Sequence, residues 1–239
     1  ILRDNSPAHW PVSECRRMKV VLFAGGMGTR LSEETAVRPK PMVEVGGRPI
    51  IWHIMKCYAR YGLTDFIMLG GYRIQFIGQY FLNYRMYSSD FTIDLSNGEV
   101  TWSASQSEPW RVTVLDTGLD TMTGGRLKRA QKIIGKETFC LTYGDGVSDV
   151  DIGKLIAFHR EGGTWATVTA VEPPGRFGVL NFGEDGHWVK SFREKDDRDA
   201  GLINAGFFVC EPQVFDLIDD DATVWEHMPL RRLVERKQL

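Results

Sequence analysis

The sequence predicts an α/β fold: a doubly wound, mostly parallel, mixed sheet with helices on both faces and added β-hairpins. Two observations carry that expectation. Apolar runs of strand length alternate with stretches of helical spacing from the start of the chain, which is the pattern of strand–helix–strand units. Hairpin signals, Asn97-Gly98 and Glu184-Asp185-Gly186, enter only later and add antiparallel pairs. In such folds ligands sit beyond the carboxyl ends of the strands.

The elements follow in order. Met18 to Ala24 is an apolar run that reads as a buried strand. Ile50 to Tyr61 places Ile51, Ile54, Met55 and Tyr58 at helical spacing, and Gly62 stops it. Asp65 to Leu69 is a short buried strand, and Ile74 to Tyr84 is helical. Phe91–Leu95, Val100–Ala104 and Val112–Leu115 read as short strands around Asn97-Gly98. Gly125 to Ile134 is a basic helix, with Lys128 and Arg129 on a solvated face. Phe139–Tyr143 is a strand ending at Gly144-Asp145-Gly146, and Val150–Arg160 is a helix with Ile152, Leu155, Ile156 and His159 on one side. Asp149 and Asp151 at its start have a capping role of their own. Ala166–Val171 is a strand, Val179–Phe192 alternates through a turn, and Ile203–Cys210 leads into a helix from Pro212. Asp219-Asp220-Asp221 reads as a solvated turn, and Trp225 to Arg236 as helix-like.

Composition sets bounds on function. A chain of 239 residues is one large domain, or a domain with a small appendage. A net charge of −2 argues against a nucleic-acid partner, while leaving room for a site with local cations. No apolar run reaches the ~20 residues that span a bilayer, so no membrane partner is expected. Cys15, Cys57, Cys140 and Cys210 lie far apart and read as free thiols, mostly buried, which fits a reducing, cytoplasmic compartment. The histidines lack metal-ligand spacing.

The loop after the first strand carries the chemistry. Phe23-Ala24-Gly25-Gly26-Met27-Gly28-Thr29-Arg30 offers backbone amides unscreened by side chains, then a fixed cation. Pro39-Lys40-Pro41 follows, a second cation whose flanking prolines argue against helix. Amides, arginine and lysine together suit a polyphosphate. A plain structural turn is the competing reading. A dinucleotide fingerprint lacks its third glycine here, and a Walker-type loop lacks its Gly-Lys-Ser/Thr ending.

These motifs resemble the sugar-phosphate nucleotidyltransferases, which make nucleotide-activated sugars on a Rossmann-like fold. Trp52-His53-Ile54-Met55-Lys56, Gly70-Gly71-Tyr72, Met122-Thr123-Gly124-Gly125-Arg126-Leu127-Lys128-Arg129, Tyr143-Gly144-Asp145-Gly146-Val147 and Pro173-Pro174-Gly175-Arg176-Phe177-Gly178 narrow the match. They are similar to the branch that joins CTP and glucose 1-phosphate. The resemblance runs from about Met18 to Leu233. Residues 1–17 are therefore expected to be a non-native or disordered extension, and 18–239 a single domain truncated at its C-terminal part.

The resemblance implies roles. Arg30, Lys40 and Asp145 are the catalytic candidates, with Asp145 as the Mg²⁺ ligand. Phe23 to Arg30, with Lys40, Thr121, Arg126 and Gly144, would bind the nucleotide, and Thr123-Gly124-Gly125-Arg126 opens a helix whose terminus favours anions. Glu194, Lys195 and Asn204 would hold the sugar phosphate. A homo-oligomer is expected, in the supply of activated deoxysugars and surface polysaccharide such as lipopolysaccharide O-antigen. The chain departs from the family in Asp196-Asp197 after the Glu-Lys pair, where a proline is usual, and in Ala205, where a glycine is usual. The family's second metal carboxylate lies beyond the last residue, so weakened metal binding and rate are expected. Base choice rests on the resemblance alone, and UTP or dTTP remains an alternative. So does a nucleotide-sugar-binding module without turnover.

Overall fold

The computed structural model describes residues 18–26, 38–105, 107–172, 179–182, 189–193 and 202–239. Its centre is a six-stranded sheet in the order β7-β4-β1-β8-β12-β9. The strands are β1 (Lys19–Ala24), β4 (Asp65–Gly70), β7 (Arg111–Asp116), β8 (Phe139–Tyr143), β9 (Ala166–Val171) and β12 (Ile203–Cys210). β1 pairs in parallel with β4 and β8, and β4 with β7. β12 runs against both neighbours, so it is the antiparallel member of an otherwise parallel sheet. The expected mixed, doubly wound architecture is what forms.

The apolar run of β1 exists because both of its faces are covered. Val20, Leu22 and Ala24 point to one side, where Ile51, Ile54, Met55 and Tyr58 of helix α1 (Ile50–Ala59) pack. Val21 and Phe23 point to the other, against Leu127, Ala130, Phe208, Phe215 and Trp225. Alternation along a strand thus divides one sequence run between two cores.

Several elements differ from expectation, each for a local reason. The helix expected from 74 to 84 is two: α2 (Ile74–Leu82) and α3 (Tyr84–Ser88), separated at Asn83, whose φ of −95° and ψ of 8° leave the helical well. The basic helix likewise splits into α4 (Thr123–Arg129) and α5 (Gln131–Ile134) around Ala130. Helix α6 (Ile152–Gly162) starts at Asp151, whose side chain accepts from Lys154 N–H at 3.0 Å, so the capping role holds. Pro212–Leu217 is a 3-10 helix rather than an α-helix, and α7 (Met228–Glu235) begins only where Pro229 can occupy a first turn. Lys40–Met42 also forms a 3-10 turn with Pro41 inside it, where the prolines had argued against helix.

Val112–Leu115 does not join the hairpin beside it. That stretch lies in β7, at the edge of the main sheet. The hairpin is β5 (Ser89–Asp94) with β6 (Glu99–Ser105), turning through Asn97-Gly98 as expected, with Gly98 at a φ of 77°. β10 (Val179–Phe182) pairs antiparallel with β11 (Val189–Arg193); the turn at 184–186 lies outside the described residues. β2 (Glu44–Val45) and β3 (Arg48–Pro49) form a further short hairpin. Among the described residues no helix is long and apolar enough to cross a membrane.

Candidate active site

Strand order selects the crevice. From β1 the chain moves to β4 and β7 on one side and later returns to β8 on the other, so β1 and β8 flank a topological switch point. Phe23 is paired with Tyr143 there, and Gly144 N–H donates to Phe23 O at 2.8 Å, which carries the pairing past the strand end. A cavity of about 150 Å³ opens at this point. Phe23, Ala24 and Gly26 form one wall, Lys40 and Pro41 a second, and Thr123, Tyr143 and Asp145 the rest.

Lys40 and Asp145 meet at its mouth. Lys40 Nζ lies 2.5 Å from Asp145 Oδ2, although 105 residues separate them. Both side chains are partly exposed, so a ligand can reach either charge.

Arg126 lies beneath the glycine loop instead. It is 5% exposed. Nη1 donates to Gly70 O (2.8 Å), Thr117 Oγ1 (2.7 Å) and Gly118 O (2.7 Å), and Nη2 to Leu119 O (3.1 Å) and Gly25 O (3.2 Å). Burial draws its pKa below the ordinary arginine value while nearby Asp116 opposes that shift. The planar fork fits this ring of carbonyls as a lysine would not. The same packing explains the glycines: a Cβ on Gly25 would stand 2.5 Å from Arg126 Cζ, and one on Gly71 2.3 Å from Nη1. Both terminal nitrogens already serve protein acceptors, so a nucleotide contact through this guanidinium would have to form beside these bonds.

The start of α4 is also engaged by the protein's own chain. Met122 N–H donates to Asp221 O at 2.8 Å and Gly125 N–H to Thr223 O at 3.2 Å, so the protein's own chain covers part of the terminus expected to face an anion. Of the expected solvated face, Arg129 is exposed and Lys128 is half-buried, and both side chains are tied to the C-terminal segment. Lys128 Nζ donates to Phe215 O at 2.6 Å, and Arg129 pairs with Asp221 at 2.9 and 2.5 Å. Asp219 is held the same way by Arg232, at 2.9 and 2.8 Å, so the aspartate run anchors neighbouring elements.

A sequence profile described as nucleotidyl transferase matches residues 19–231. This chain belongs to the nucleotidyl transferase family. It is 52% identical, over 93% of its length and 86% of the relative's, to a glucose-1-phosphate cytidylyltransferase of Salmonella typhi. It is 46% identical, with the same coverage, to a Bacillus subtilis protein named "Probable glucose-1-phosphate cytidylyltransferase". A crystal structure of UDP-glucose pyrophosphorylase complexed with UDP-glucose superposes with a TM-score of 0.63 at 17% identity, covering 93% of this chain and 88% of that one. This likeness supports the Rossmann-like fold.

Within this nucleotidyltransferase, the sequence-derived residues divide into groups. Phe23, Ala24, Gly25, Gly26, Lys40, Gly144 and Asp145 converge on the crevice. Thr121 is buried beside Gly118, next to the ring that Arg126 holds. Asn204 lies in β12 and its side chain accepts from Gly206 N–H at 2.7 Å. Met27, Gly28, Thr29, Arg30, Glu194 and Lys195 lie outside the described residues.

Reasoning from sequence passed over Tyr143, Thr123 and Glu226 as site residues. Tyr143 had a signal, since it precedes Gly144-Asp145 at a strand end. Glu226 had none, for its partners are 83 and 103 residues away. Among the described residues no group of three His, Cys, Asp or Glu forms a metal cage. A Mg²⁺ site still fits, because that ion commonly takes one or two carboxylates and completes its shell with substrate phosphates and water. Asp145, which lines the crevice, is a carboxylate that could serve in this way.

Proposed function

We propose that this chain transfers the cytidylyl group of CTP to glucose 1-phosphate, giving CDP-glucose and pyrophosphate. The observation that carries this reading is 52% identity to a named glucose-1-phosphate cytidylyltransferase over nearly the whole chain. The Lys40–Asp145 pair at the strand-end crevice fits it.

In this reading a phosphate oxygen of the sugar forms a bond to the α-phosphorus of CTP. The bond from that phosphorus to the bridging oxygen breaks, and pyrophosphate leaves with the electron pair. The attacking phosphate is already ionised at neutral pH, so no general base is required. Alignment and charge neutralisation remain as the work of the site. Lys40 would exchange Asp145 for the triphosphate, and Arg30 would join it. Asp145 would hold Mg²⁺, which when bound neutralises phosphate charge. Asn204, with Glu194 and Lys195, would orient the sugar phosphate. Arg126 would act from below, fixing the Gly25 and Gly118 carbonyls so that the loop keeps its shape.

A cytoplasmic homo-oligomer supplying activated deoxysugars and surface polysaccharide, O-antigen included, is part of the same proposal. Pyrophosphate release with CTP, UTP and dTTP in turn tests it, and turnover with CTP well above the others is the expected result. Equal use of all three would remove the cytidylyl assignment. Binding of CTP without pyrophosphate release would favour a binding module.

A further inference from the structure

Glu226, bonded to two residues that line the crevice, has no part in the steps above. Its Oε2 accepts from Thr123 Oγ1 at 2.7 Å and its Oε1 accepts from Tyr143 Oη. Thr123 Oγ1 in turn accepts from Trp225 N–H at 2.9 Å, and Trp225 is fully buried. One carboxylate thereby joins the last residue of β8 to the first residue of α4. Tyr143 and Thr123 both line the cavity beside Asp145.

In the proposed reading Tyr143 stands between residues assigned to the nucleotide and residues assigned to the sugar phosphate. On the nucleotide side its ring centroid is 5.7 Å from that of Phe23. On the sugar side a Cβ on Gly206 would fall 2.6 Å from Tyr143 Cδ2, and Asn204 accepts from Gly206 N–H at 2.7 Å. Burial, then the Glu226 bond, pushes the phenol's pKa far up, so Tyr143 stays protonated and donates. The hydroxyl donates to Glu226, which is itself tied to α4 through Thr123.

We propose that Glu226 is a positioning residue for cytidylyl transfer: it fixes the Tyr143 ring as the partition between nucleotide and sugar phosphate. This rests on the function proposed above. In-line attack tolerates little misplacement, about 10²-fold in rate for an ångström, so a freed partition would slow the chemistry more than it weakens binding. Glutamine keeps one acceptor and adds a donor that a reoriented hydroxyl can accept, so Glu226→Gln retains the bridge. Alanine removes it.

Steady-state kinetics of the full chain, with both substrates varied and thermal unfolding followed in parallel, tests this. Glu226→Ala is expected to lower kcat by at least about tenfold, with either KM moving less than about threefold, and Glu226→Gln to recover most of kcat. Tyr143→Phe should lower kcat comparably, and the double variant Glu226→Ala/Tyr143→Phe should lose little more than Glu226→Ala, since the Tyr143–Glu226 bond is already gone there. Tyr143→Phe also removes the bond without emptying the site, so the test survives poor folding of the alanine variant. A Glu226→Ala enzyme that melts earlier but keeps kcat would overturn the proposal, as would a Glu226→Gln enzyme no better than alanine. The unaltered chain is the separate control: if it makes no CDP-glucose, the reaction itself is misassigned and the positioning role falls with it.

Discussion

Lys40 and Arg126 are both cations at one crevice, yet their surroundings give them opposite duties. Lys40 Nζ faces a partly exposed carboxylate and can exchange it for a phosphate. Replacing it with methionine should lower kcat/KM by about 10²-fold or more, the scale of losing one preorganised charge at a reacting phosphate. Stability should change by under about 1 kcal/mol, because an ion pair this open contributes little to folding. Pyrophosphate release and urea unfolding of the same variant check both halves. Arg126 should behave in reverse. Arg126→Met takes the donor from the half-buried Gly118 carbonyl, while Gly70 O keeps the Thr117 donors and Gly25 O keeps Tyr72 N–H, at about 1–3 kcal/mol for the group left unsatisfied. A loss of about 1–3 kcal/mol in urea unfolding is expected. Arg126→Lys should recover only part, because a point charge cannot replace a planar fork. Stability unchanged in Arg126→Met would refute the cradle role.

At the scale of elements, the strands were legible and the helix ends were not. β1 could be read because burial on two faces demands an unbroken apolar run. The break at Ala130 and the 3-10 form of Pro212–Leu217 answer to packing that no local pattern encodes. The glycines before Arg126 misled for a physical reason: they signal close approach, but the approaching group is the 221–223 backbone. Lys40 and Asp145 were legible because each sits in a turn motif. Their union, and the Glu226 bridge, appear only once β1 and β8 pair.

The link between α4 and the C-terminal segment has a pH signature. Hydrogen bonds from Arg129 hold the Asp221 carboxyl below its ordinary 3.8, and those from Arg232 do the same for Asp219. A depressed folded-state pKa stabilises above the unfolded value, and the benefit is lost as pH falls through the folded one. Both anchors should therefore be intact at pH 5 and above and weaken below about pH 4. Thermal melting from pH 6 to pH 3 should show a steeper acid decline in the native chain than in Asp221→Asn. Parallel declines would remove the pair from the account.

The scale of the whole molecule decides how far the C-terminal segment belongs to the catalytic domain. Val214, Phe215, Leu217, Trp225 and Leu233 share one core with Val21 and Phe23 of the central strand. Phe215 stacks on Phe139 of β8 at 5.6 Å, and Trp225 meets Phe208 of β12 edge-on at 5.9 Å. The segment closes that face of the sheet and also carries Glu226 to Thr123 and Tyr143, so folding and positioning draw on the same segment. Trp225→Ala should then cost about 3–5 kcal/mol, the usual range for emptying a large aromatic site. The cavity would lie directly behind Tyr143 and Thr123, so the protein that remains folded should also turn over more slowly. Trp225→Phe, which fills much of the volume, should lose far less of both. Were Trp225→Ala to unfold only these last residues while the sheet melted at its native temperature, the segment would be a separate appendage. A single shifted transition, seen alike by far-ultraviolet circular dichroism and by tryptophan fluorescence, is the expected result.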